Sequence, residues 1–375
     1  MDLRFNKDQQ MIRDTVRRFL EGECSRTLVR ELEASEQGFS PELWRGMAEL
    51  GLMGVAFPED YGGLAKGFQE LCIAVEEQGR YRLACPYVPT VVLCGMSIAC
   101  FGTEEQKREY LRSIAAGQRI MTYAVSEPGA VWEPSESRMA AERGNGIYTL
   151  NGRKIFVPYA VVADEMLVVA RTDLDGKQGL TLFLVDSGDR GIAARRMKTL
   201  GPEHQYDVLF RDVKVPEGRI LGRQGEGGAI AEAISQWGAA AKCAEMVGGA
   251  GKVLEMSVEY AKERVQFGKP IGSFQAVQHH CANMAVDLDG ARFIAYEAIW
   301  RLAEGLDSIT EVSMAKAWVS DAYRRICALA HRIHGAVGFT MEHDMQLYTR
   351  HAKECEVAFG DGDWHRGRVA GLIGL

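Results

Sequence analysis

The period of the hydrophobic pattern changes twice along this 375-residue chain, and those two changes limit its architecture more than any other feature. Between residues 3 and 118 apolar positions recur at three- and four-residue spacing, the repeat of helices that bury one face. Asp8 precedes an amphipathic run through Leu20. Ser40-Pro41 joins a capping hydroxyl to the one residue favoured at a first helical position, and Gly51 closes that segment. Thr103 with Gln106 forms a capping box ahead of a helix that ends near Gly117. From about 119 to 225 short alternating runs take over. Residues 147–150 and 154–157 flank Asn151-Gly152, the signal of a type I′ hairpin, and 166–170 and 180–185 flank a polar turn from Asp173 to Gly179. Long helical periodicity returns from 228 to the end. The expectation is an α+β fold, mostly α. It comprises an N-terminal helical domain (1–118), a small β-sheet or barrel domain (119–227) and a C-terminal four-helix bundle (228–375). A chain of this length can bury two or three cores.

Bulk properties exclude several function classes. A formal net charge of −7 with no basic block argues against nucleic acid. The opening MDLRFNKDQQ is too mixed in charge for a signal peptide, and no run of roughly 18 apolar residues would span a membrane. Nine cysteines without paired spacing suit a reducing compartment, so a cytoplasmic protein is expected. Asp173-Leu174-Asp175-Gly176 begins like a calcium loop but lacks the closing acid. Gly251-Lys252 and Gly225-Glu226-Gly227-Gly228 complete neither a phosphate loop nor a dinucleotide fingerprint. His279-His280, and His331 with His334, read as interface or helix histidines, so no metal is expected.

Residues 260–279, YAKERVQFGKPIGSFQAVQH, carry the most chemistry. A helical pattern meets a breaker at Gly268-Lys269-Pro270 and resumes after a Ser273 cap. Arg264 lies one turn before an aromatic, Phe267, and Gln275 lies just inside the next helix. A guanidinium suits a phosphate, an aromatic face suits a flat ring, and a helix start suits an anion. A solvated helix end with a buried Phe would look the same.

This segment resembles the signature of the acyl-CoA dehydrogenases, FAD enzymes that desaturate acyl-CoA thioesters between the α and β carbons. The resemblance spans essentially the whole chain. Residues 126–130 (SEPGA) resemble the family's TEPGAG loop and 150–154 (LNGRK) its LNGxK segment. Residues 210–216 (FRDVKVP) resemble its FxxVxVP strand, and 334–339 (HGAVGF) stand where it has GGxGY or GGxGF.

The family removes an α-proton with a carboxylate while the flavin takes a hydride from the β-carbon. The resemblance puts Phe359 at the position of the usual Glu base and Gly238 at the alternative one, with Ala239 where an Arg is common. Asp361, Asp363 and Glu245 are the remaining candidates for a relocated base. Around the flavin ring, Val131-Trp132 replace Gly-Ser, and Phe156 and Pro158 replace a Trp and a Thr; Ser126 keeps a polar type. In relatives those groups come from the subunit cradling the ring. The contacts reaching across an interface to the adenosine end are kept: Arg264, Phe267 and Gln275, with Arg332, Ile333, His334, Gly335 and Ala336.

The reading that follows is a partner-type subunit of a heterotetramer, lending nucleotide contacts to a catalytic relative, with its own ring cleft blocked by Trp132. A self-sufficient homotetramer with a relocated base and a flavin-free assembly or acyl-CoA-binding module are the alternatives. Expected partners are acyl-CoA, the related subunit or a second copy, and an electron-transfer flavoprotein or similar acceptor.

Overall fold

The computed structural model describes residues 4–129, 132–174 and 177–375, without the side chains of 174, 177 and 178. Helices α1 (Lys7–Glu23), α2 (Arg26–Ala34), α3 (Pro41–Glu49), α4 (Phe68–Tyr81), α5 (Met96–Phe101) and α6 (Glu104–Ala115) form the N-terminal part. Ser40 Oγ accepts from Leu43 N with Pro41 at the first turn, and Thr103 and Gln106 close a reciprocal capping box, as their spacing predicts. The first helix starts at Lys7, ahead of Asp8: Asn6 is its cap, exchanging side-chain and backbone hydrogen bonds with Gln9, and Asp8 lies inside the first turn.

The middle part is one sheet of β1 (Met121–Ala124), β2 (Ala140–Gly144), β3 (Ile147–Pro158), β4 (Glu165–Leu174), β5 (Lys177–Asp186), β6 (Ile192–Arg196), β7 (Gln205–Pro216) and β8 (Ile220–Leu221). Strand order is β6-β7-β3-β2-β4-β5-β8, with β1 parallel to β4. Alternate residues of β4 serve different cores: Leu167 and Val169 join the N-terminal helices, whereas Met166, Val168 and Ala170 face the other side. That period-two division explains a strand apolar throughout: both of its faces are buried.

The hairpin expected at Asn151-Gly152 is elsewhere. β3 runs straight through those residues, and the reversal between β2 and β3 uses Asn145 (φ 53°) and Gly146 (φ 73°). Both dipeptides are Asn-Gly, but only this pair has two positive φ values, as a type I′ turn demands. Gly152 marks instead a register shift against β7, tight against Met139. Part of the polar turn at 173–179 lies outside the described residues.

α7 (Gly227–Glu263), α8 (Gln275–Ala303), α9 (Ile309–His334) and α10 (Met345–Val357) build the C-terminal bundle, and α11 (Gly362–Leu372) packs on α9. A short hairpin, β9 (Val265–Gln266) and β10 (Lys269–Pro270), joins α7 to α8. The N-terminal part docks through α4 on α7, where backbones nearly touch. A Cβ on Gly79 would lie 2.0 Å from Glu245 O, and one on Gly248 would lie 1.8 Å from Glu76 O.

Candidate active-site cleft and nucleotide edge

Two motif segments of the sheet are tied together by a buried ion pair. Lys154, fully buried, donates from Nζ to Glu127 Oε1 at 2.6 Å, to Val125 O and to Ser137 Oγ. Glu127 also accepts from Ser137 Oγ and from Arg138 and Met139 N. Burial opposes ionisation of Glu127, but the ammonium and these donors hold its carboxyl below the ordinary range. The Glu of SEPGA and the Lys of LNGRK therefore tie the two segments together. Lys154→Met is expected to cost about 3–5 kcal/mol, since it strands a buried carboxylate. The denaturant midpoint of the purified chain measures it.

Phe359 and Gly238 meet. A Cβ added at Gly238 would lie 2.5 Å from the Phe359 ring, so the absent side chain on α7 is the space the phenyl fills. Phe359 has φ 56°, a costly conformation for a bulky residue, and is fixed by its surroundings. Lys316 Nζ donates to Glu356 O and Gly360 O, both at 2.9 Å, and His365 Nε2 contacts Phe359 O at 2.9 Å. The other carboxylates are engaged. Asp361 caps α11 by accepting from Trp364 N, and Asp363 is on the surface beside Arg366. Glu245 accepts from Lys242 and His351 at 2.8 Å. Burial opposes its ionisation, yet Lys242 and His351 hold its pKa far below the ordinary value. Burial pushes His351 down to about 4, so its Nε2–H donates to Glu245 while Nδ1 faces Tyr323 Oη. Cys355 converges on this pair, but the Lys242 ammonium already supplies its cation.

Trp132 reaches from the sheet to α10, donating from Nε1 to Val357 O at 2.9 Å. It does not fill the cleft as expected. A cavity of ≈ 510 Å³ remains, with Trp132, Phe156, Pro158 and Phe359 in its walls and Ser126 on its rim. Its polar end holds Glu203, Lys242 and Glu354, which the sequence reading missed. They come from three distant segments without a motif; the one signal was a lone lysine, Lys242, inside an Ala/Gly-rich helical run. Burial, then the neighbouring Glu203, push Glu354 up to about 8, against the pull of Lys242 and Arg82.

The residues expected to contact the nucleotide lie at another edge. Arg264 follows the last turn of α7, exposed and in no ion pair among the described residues. Phe267 is 92% exposed at φ 52° on the hairpin tip, against the edge of Phe274. Gln275 opens α8, whose cap is Phe274, not the expected Ser273; Ser273 Oγ bonds Pro270 O instead. Phe274 makes no side-chain cap, so among the described residues the first N–H groups of α8 have no side-chain acceptor. Tyr260 stacks on His334 with centroids 4.5 Å apart, which brings the 332–336 segment beside this edge. Arg332, Gly335 and Ala336 are exposed there, while Ile333 and His334 are buried. A guanidinium, an amide and an open helix start fit a diphosphate, and a free aromatic face fits a flat base, so this edge suits the outer half of a dinucleotide.

Models of the N-terminal, middle and C-terminal domains of acyl-CoA dehydrogenases match residues 6–118, 122–213 and 225–373. The chain belongs to the acyl-CoA dehydrogenase family, FAD-dependent oxidoreductases acting on CH–CH bonds. It is 31% identical to caffeyl-CoA reductase–Etf complex subunit CarC of Acetobacterium woodii, over 98% of this chain and 99% of that one. Butyryl-CoA dehydrogenase from Megasphaera elsdenii superposes with a TM-score of 0.91 at 29% identity, covering both chains fully. A chain of the ChsE4–ChsE5 complex from Mycobacterium tuberculosis gives 0.91 at 31% identity, over 100% of this chain and 99% of that one. No helix among the described residues is long and apolar enough to cross a membrane.

Proposed function

We propose that this chain is the partner-type subunit of a heteromeric acyl-CoA dehydrogenase, working in the cytoplasm on an acyl-CoA thioester. The observation that carries the reading is the contact of Phe359 with Gly238. Neither position where relatives keep a base offers a carboxylate, while Arg264, Phe267 and Gln275 stand exposed at the nucleotide edge. Arg264 and the open start of α8 would hold the diphosphate of FAD, and Phe267 would cover its flat outer end. Arg332, exposed two residues before His334, would add a second cation. The bound flavin supplies the two-electron acceptor for α,β-desaturation; its ring and the carboxylate base would belong to a related chain. An electron-transfer flavoprotein or similar acceptor would take the electrons on, a role that the name of the complex containing CarC supports.

A self-sufficient enzyme needs a carboxylate base in this cleft. Asp361, Asp363 and Glu245 are committed to a cap, a surface pair and a buried network. Glu203 and Glu354 line the cleft, and burial raises the pKa of both, Glu354 to about 8.

The test is a flavin spectrum. The chain purified alone is expected to be colourless and inactive with an electron-acceptor dye, and to become yellow and active when co-purified with a related chain encoded beside it. One tightly held, reducible flavin per polypeptide in the isolated chain refutes the reading. Absence of flavin in every combination leaves an assembly or acyl-CoA-binding module.

A further inference from the structure

The sequence carries the dipeptide Asn-Gly twice, and the fold treats the two copies in opposite ways. In such a pair the glycine amide N can attack the asparagine side-chain amide within one chain segment. The ring that closes has five members, and glycine puts no Cβ in the path of the nucleophile. How firmly the fold holds the two residues then decides whether the ring forms.

Asn151-Gly152 is held. Asn151 Oδ1 accepts from Asp212 N at 2.8 Å, and its Nδ2 donates to Asp212 Oδ1 at 3.2 Å. Asn151 pairs with Ala140 of β2 and Gly152 with Phe210 of β7, so the reacting peptide lies inside the sheet. Met139 packs against it, with Cγ 2.6 Å from where a Cβ of Gly152 would be.

Asn145-Gly146 is not held. Both residues are exposed at the tip of the β2–β3 hairpin. Among the described residues the Asn145 side chain makes no hydrogen bond and Gly146 N donates none. Only Gly146 O is engaged, accepting from Glu217 N at 3.1 Å. Apart from its chain neighbours, nothing lies within 4 Å of where a Cβ of Gly146 would be. Ring closure needs rotation about the Asn145 Cα–C bond out of the turn, and no packed side chain opposes it there.

We propose that Asn145 is a site of spontaneous deamidation, a modification that the fold directs to one Asn-Gly pair and withholds from the other. Gly146 N loses its proton to solvent base and attacks Asn145 Cγ. The N–Cγ bond forms, the Cγ–Nδ2 bond breaks, and ammonia leaves. Water then opens the succinimide at either carbonyl, giving aspartate or isoaspartate. No electrons are exchanged, and water is the co-reactant. The product adds a negative charge to a chain already at −7. It does so two residues from Arg143, which pairs with Glu217 at 2.9 Å. The inference goes beyond the partner-subunit reading and needs neither flavin nor partner, so either can fail without the other.

The experiment incubates the purified full-length chain in mildly alkaline water enriched in heavy oxygen. Tandem mass spectrometry of the 144–153 segment then locates any change. Asn145 is expected to exchange its amide NH₂ for a heavy-oxygen hydroxyl at least about tenfold faster than Asn151, which must first break two hydrogen bonds. The rate at Asn145 should rise with pH, because the attacking amide must lose a proton. In denaturant the two pairs should converge, since the bonds that distinguish them are gone. Asn145→Gln would need a larger ring and should abolish the change at 145 while leaving Asn151 as it was. Equal rates at the two pairs in the folded chain overturn the proposal. So does an Asn145 that stays intact when folded and reacts only in denaturant.

Discussion

Arg264→Ala is expected to lower the FAD affinity of the assembled complex by about ten- to a hundredfold. Charge-assisted hydrogen bonds contribute about 1.5–3 kcal/mol, and each 1.4 kcal/mol is a factor of ten. Folding should be spared. The side chain is exposed, and its backbone bonds, Arg264 N to Tyr260 O and Ile271 N to Arg264 O, survive the substitution. Arg264→Lys keeps the charge but loses the planar fork, so an intermediate affinity is expected. Equilibrium dialysis of flavin from the complex gives the comparison, with the urea midpoint of the free chain as control. Unchanged flavin retention in Arg264→Ala would remove this residue from the nucleotide site.

A large loss of stability is expected at a residue with no chemistry. Alanine at Gly248 is normally worth about 1 kcal/mol in a helix interior. Here its Cβ would sit 1.8 Å from Glu76 O and 3.0 Å from Arg80 N, backbone atoms of α4 that cannot turn aside. The helices must separate, uncovering buried neighbours such as Val75, Ala244 and Val247. Overpacking of this kind costs about 1–3 kcal/mol and more when backbone must move, so a loss of at least about 3 kcal/mol is expected. Gly251→Ala is the control. Its Cβ would meet Leu288 Cδ2 at 3.9 Å, an ordinary contact, and the substitution should be neutral or slightly stabilising. Equal urea midpoints for the two variants would contradict the close helix approach.

Much of this was legible before any coordinates, because capping and periodicity are local. Ser40-Pro41 and Thr103 with Gln106 opened the helices they promised, since each cap needs only residues within one turn. Local rules failed where two sites obeyed the same rule. Asn145-Gly146 and Asn151-Gly152 are identical dipeptides, and only strand pairing with β2 and β7 decided which one turns. Ser273 lost the cap to Phe274 because the hairpin before it sets where the chain enters α8. Asp361 read as a candidate relocated base, and only the structure gave its bond to Trp364 N, which makes it a cap.

What the sequence determined by itself is the order of layers, the residue types at the hairpin edge and that neither 359 nor 238 carries a carboxylate, since these depend only on which side chain occupies each position. Tertiary structure alone decided that Phe359 fills the space above Gly238, that Trp132 latches a cavity and leaves it open inside, and that Glu203, Lys242 and Glu354 face it together. Those facts arise from contacts between segments far apart in the chain, where no periodicity or capping rule reaches.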